Sequence, residues 1–144
     1  MRHHTFTFST RLPHRELAAY RPGVEAALMA EGFGVPVEMD VQAIVKGKLG
    51  IDRPPFLILG GCNPALSNAI LDLDPAVGAL LPCNAVLRDD GDAVVVEIVD
   101  PRAMLGLTGD NPAVAELAED ARARLLRAMA AIEAQFGVAH EQGD

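Results

Sequence analysis

The chain has no tryptophan, one tyrosine (Tyr20) and five phenylalanines in 144 residues. Rings supply the largest single blocks of buried surface, so aliphatic side chains and alanine must fill the core. Half of the residues are hydrophobic, enough for one core without covalent staples. Such a sequence also leaves apolar surface over for a self-association face. Cysteine is scarce too. Two thiols, Cys62 and Cys83, fit a reducing compartment where they stay free, and the cytoplasm is the expected location.

Basic residues are few. Twelve against twenty acidic ones give a net charge of −8. Nucleic-acid affinity comes largely from neutralising phosphates, so this balance argues against a DNA or RNA partner. Lys46 and Lys48, the only lysines, cluster with Arg53. A solvated rim on a short helix explains them better than a small-anion site. No run approaches the ~20 apolar residues of a membrane span. The N-terminus, Met1-Arg2-His3-His4-Thr5-Phe6, alternates polar and apolar residues and lacks the apolar stretch of a secretion signal. His3-His4 is too short for a metal site, and no metal-ligand set is assigned anywhere.

What is present has clear periodicity. Thr5 to Ser9 alternates as a half-buried strand does. Pro13 suits a helix start, and Leu17, Tyr20, Val24, Ala27 and Leu28 recur at helical spacing up to Gly32. Pro22-Gly23 predicts a kink or a fresh start there. Val35 to Val41 alternates again, as a strand near an edge because of Pro36. Ala43 to Leu49 reads as a short helix closed by Gly50. Phe56-Leu57-Ile58-Leu59 is continuous, as in a strand central in its sheet. Asn63 then caps a helix with Pro64 in its first turn. Ala85–Arg88 and Ala93–Val99 flank Asp89-Asp90-Gly91-Asp92, a hairpin signal. Asn111-Pro112 repeats the cap, and Val114, Ala118, Ala121, Leu125, Met129, Ile132 and Phe136 form one stripe. Asp120 and Arg124 supply an i,i+4 pair.

The order predicts an α/β fold of α+β type, a two-layer sandwich. Its sheet is expected to be mixed, with about five strands, three main helices and one short one. A single domain over 1–144 follows, with a structured core over about 4–137.

Several chemistries lack their motif. Gly60-Gly61 leads into a helix without the Lys-Ser/Thr of a P-loop or the third glycine of a dinucleotide fold. Ser9 and Ser67 have no nucleophile elbow. What remains is a pair of echoes, Gly61-Cys62-Asn63-Pro64 and Leu81-Pro82-Cys83-Asn84. Cys62 directly precedes a capped helix start, which favours a thiolate, so it is the best candidate nucleophile or soft-metal ligand. The plainer reading is a small residue buried where strand meets helix. The two thiols lie 21 positions apart. A right-handed crossover between parallel strands would hold them at opposite ends of the sheet, beyond disulfide reach, and an antiparallel return would bring them closer. Asp100-Pro101 and Met104 follow the last strand. Asp100 and Asp40 read first as caps, while Met104 offers a soft sulfur.

Glu31-Gly32-Phe33-Gly34, Asp40 to Ala43, Ile58 to Pro64, Leu80 to Asn84 and Asp100-Pro101 through Met104 occur in an order that resembles the DUF302 family, domains of unknown function. The resemblance covers nearly the whole chain and departs at Pro22-Gly23. It implies a bacterial or archaeal, free-standing, dimeric α/β domain and no established activity. Its motif residues fall on Cys62, Asn63, Pro64, Pro82, Cys83, Asn84, Asp100 and Met104. The expected function is thus a homodimeric small-ligand-binding or structural domain with a Cys-Asn pocket, its cofactor unknown. The alternative is a thiol-dependent enzyme or soft-metal handler using Cys62 with Cys83 and Met104.

Overall fold

The structure, a computed structural model, describes residues 1–140. Strands β1 (Arg2–His3) and β2 (Thr7–Pro13) lead into helix α1 (Leu17–Ala30), strand β3 (Gly34–Asp40) and helix α2 (Val41–Leu49). Strand β4 (Phe56–Cys62), helix α3 (Pro64–Leu73) and a 3-10 turn (Pro75–Leu80) follow. The hairpin of β5 (Cys83–Asp89) and β6 (Ala93–Val99), then α4 (Pro101–Gly106) and α5 (Pro112–Phe136), complete the order.

The class is the expected one, with a different sheet. Six strands lie in the order β1-β2-β6-β5-β4-β3, and every neighbouring pair is antiparallel, so the sheet is not mixed. The reason lies between β4 and β5. Instead of crossing over, α3 and the 3-10 turn fold back and return the chain beside β4. The sixth strand, β1, is two residues long, too short for any periodicity to announce it.

Alternation then sorts the side chains. One face presents Phe8 and Leu12, Leu57 and Leu59, Ala85 and Leu87, and Val94, Val96 and Ile98 to a core shared with α1 and α5. The stripe of α5 is used up here: Ala121, Leu125, Met129 and Ile132 are buried in this core, while Val114 and Ala118 join a smaller cluster with Ile70, Val77 and Leu105. It therefore offers no association surface. The opposite face carries Val37 and Met39 of β3 in register with Gly60 and Ile58 of β4, and Ile58 in turn pairs with Val86 of β5. Val37 and Met39 are 53% and 43% exposed.

Several local expectations hold and others are corrected. Asn63 and Asn111 each accept bonds from first-turn N–H groups, with proline at the start of the helix. Asp40 caps α2 through Ala43, and β3, with Pro36, lies at the sheet edge. Helix α1 begins at Leu17, since Pro13 is the last residue of β2. It also runs through Pro22 without a fresh start, anchored on both sides of the proline by buried Tyr20 and by Val24, Ala27 and Leu28. Ordered backbone exceeds the 4–137 span: β1 starts at Arg2, and the Ala139 N–H donates to the Arg11 carbonyl at 2.7 Å. Lys46 pairs with Asp52 at 2.8 Å, a rim contact as expected.

Candidate functional site

The two echoing motifs are cross-strand partners. In the β4–β5 register Gly60 faces Asn84 and Gly61 faces Cys83. The glycines make this approach possible. A β-carbon on Gly60 would stand 2.7 Å from Cγ of Pro82, and one on Gly61 would stand 3.1 Å from the Cys83 carbonyl oxygen. Any side chain there would push the Leu81-Pro82-Cys83 segment off the strand. Of the two arrangements the sequence leaves open, the antiparallel return is the one found, and Cys62 and Cys83 sit at the same end of the sheet.

Both thiols line one cavity of about 190 Å³, together with Asn63 and Met104. Its walls are apolar: Phe33 after α1, Leu66 and Ile70 of α3, Leu81, Leu105 of α4 and Ala121 of α5. Of the eight motif residues, Cys62, Asn63, Pro82, Cys83 and Met104 come together here. Pro64, Asn84 and Asp100 do not line the cavity. Pro64 is taken up by the first turn of α3. Asn84 is exposed and follows Cys83 on the strand, where alternation turns it to the opposite face. Asp100 accepts from the Arg102 N–H at 2.9 Å to cap α4 and pairs with Arg122 at 3.1 Å.

The thiols are in different surroundings. Cys62 lies 3.4 Å from the Ser67 hydroxyl. The sequence gives Ser67 no nucleophile elbow; the signal for its position beside Cys62 is its place one turn beyond the Asn63 cap. Cys83 packs against the main core. Burial, and after it the neighbouring Cys62, push its pKa up to about 11 from an ordinary 9.0. Both cysteines are free.

Asn63 fixes the mouth. It is 7% exposed, and its oxygen accepts from the Leu66 N–H at 3.3 Å. Its amide donates to the Glu31 carbonyl at 3.5 Å, tying the start of α3 to the end of α1. Arg127 of α5 grips the Glu31 carboxylate through two 3.0 Å bonds, which holds that carboxyl below its usual range. Three helices thus meet over the cavity. Among the cavity's lining residues none is Asp, Glu, His, Lys or Arg.

A sequence model of the family described as "Domain of unknown function DUF302" matches residues 8–132. The chain belongs to the DUF302 family. A solved structure of an uncharacterised DUF302 protein from Bacillus stearothermophilus is similar in sequence and fold. The two share 27% identity with a TM-score of 0.80, over 88% of this chain and 98% of that one. No curated protein matches the chain. In this DUF302 chain the segments around Cys62 and Cys83 build a narrow apolar cavity with sulfur at its sheet end.

Proposed function

We propose that this DUF302 chain is a non-catalytic, homodimeric domain of the cytoplasm that binds a small ligand in the Cys62–Cys83 cavity. The observation that carries the reading is the lining itself. Two thiols and a thioether are set in apolar walls with no carboxylate, imidazole or cation to move protons or orient a charged substrate. A dry cavity of about 150 Å³ takes up benzene, so the 190 Å³ here suits a ligand of that order with few hydrogen-bonding groups. Titration with benzene, followed by amide NMR, tests this. Saturable shifts at Cys62, Ile70 and Leu105 are expected, and Ser67→Leu, filling the mouth, should abolish them while leaving the thermal melt intact. Absence of saturable shifts in the unmodified protein would refute the reading.

The dimer rests on a different observation. An antiparallel sheet facing water alternates apolar-in with polar-out, yet Val37 and Met39 lie exposed beside Ile58 on the face opposite the main core. Helix α2, which joins those two strands, buries none of its residues and leaves Ile44 and Leu49 exposed. A helix of nine residues with no buried face is not stable by itself, and a second copy related by a two-fold axis covers such surfaces most commonly. Sedimentation should give twice the 15.2 kDa chain mass, and Val37→Glu with Met39→Glu should give monomer. A monomeric parent protein at tens of micromolar removes the dimer from the proposal.

A further inference from the structure

The thiols and the thioether of the cavity come from three separate parts of the chain: the end of β4, the start of β5 and the middle of α4. Nothing in ordinary core packing requires three sulfurs among the few residues that line one small space. Soft thiolate and thioether donors select soft, d10 monovalent cations, whereas hard ions need oxygen and zinc takes four nitrogen or sulfur ligands. Among the described residues no group of three or more His, Cys, Asp and Glu could hold a metal, so zinc finds only two of its usual donors in this cavity and hard ions find no carboxylate. The donor set that is present matches copper(I).

We propose that the cavity is a copper(I)-type site, with Cys62 and Cys83 as thiolate ligands and Met104 as the third donor; this rests on the cavity being a ligand site and names its ligand class. Binding forms three metal–sulfur bonds, two to thiolates and one to the Met104 thioether, breaks two S–H bonds and sends both protons to solvent. The ion's single positive charge leaves the bis-thiolate unit with one net negative charge. Helix α3 opens at Pro64, two residues beyond Cys62, and the positive end of a helix dipole favours a negative charge near it. A net charge of −8 draws cations toward the protein. The apolar walls keep water and hard competing ligands away from the bound ion.

Anaerobic titration of the full chain with copper(I) against the competing chelator bathocuproine disulfonate tests the proposal. One ion per chain should be retained, with zinc(II) unable to displace it. Cys62→Ser and Cys83→Ala should each lose at least the ~100-fold that even an outer-shell change can cost. Met104→Leu keeps volume and removes only the sulfur donor, so it should weaken binding less than either cysteine variant. Circular-dichroism melts show which variants remain folded. No retention by the parent protein, or undiminished retention in a folded cysteine variant, overturns the copper(I) assignment. If benzene still binds saturably in that case, the cavity reading stands and only the ligand class falls; if neither binds, both fall.

Discussion

The side-chain amide of Asn63 occupies the space a β-carbon on Gly32 would need, with Nδ2 only 2.8 Å from that position. Gly32 also holds φ +85°, a conformation that other residues adopt at a cost. The turn leaving α1 and the cap opening α3 are therefore fitted to each other.

Gly32→Ala should destabilise the protein by about 2 kcal/mol, combining positive-φ strain with the clash. Asn63→Ala should cost about 1–2 kcal/mol, because it removes a cap and leaves the buried Glu31 contact unmade. Asn111→Ala, at an exposed cap, should lie at or below the lower end of that range. The double variant Gly32→Ala/Asn63→Ala should lose less than the sum, since removing the amide relieves the clash. Urea melts of the four proteins measure this, and strict additivity would show that the two residues do not interact.

A second close fit joins the two long helices. A β-carbon on Gly23 would lie 2.3 Å from Cζ of Phe136, whose ring stands edge-on to Tyr20 at 4.9 Å. In an exposed helix Gly→Ala gains about 1 kcal/mol; here Gly23→Ala should instead lose about 1–3 kcal/mol through overpacking. In a Phe136→Ala background the same change should turn stabilising. Thermal melts read the sign, and an unchanged sign would mean that the ring does not set the requirement for glycine.

Cys83 gives stability a dependence on alkaline pH. Its pKa is raised in the folded protein, so it contributes stability that is fully present below the unfolded-state value near 9.0. That contribution is lost as pH climbs toward the folded-state value of about 11. The size is on the order of 2 kcal/mol across that window. The difference in unfolding free energy between the parent and Cys83→Ala should therefore shrink by that amount from pH 8 to pH 11. A difference independent of pH would mean that the thiol is not desolvated.

Much of this was legible in the sequence, for identifiable reasons. Asn63-Pro64, Asn111-Pro112, the Asp89–Asp92 hairpin and the α5 stripe each rest on local rules, and each is found in place. The direction of the sheet was not legible. A helical segment between Cys62 and Cys83 reads equally as a crossover or a return, and only packing over the core decides between them. The turns around Pro75 and Pro101 span six residues each, less than two helical repeats, too few for a stripe to show. The site was legible in half. Cys62, Asn63, Cys83 and Met104 stood out by type, whereas Phe33, Ile70 and Leu105 look like any core residue until the fold assembles them around one space.

The pairing of β2 with β6 has a consequence for synthesis. Strands β3 to β6 each meet a neighbour in sequence, so that meander can zip up as it leaves the ribosome. Phe8 and Leu12 on β2 must wait for their β6 partners, 90 and 82 positions later in the chain. At ~5–20 residues per second this leaves β2 with only the two-residue β1 beside it for roughly 4–20 s. Over that interval β2 is the segment most open to chaperones, and to pairing with the wrong chain.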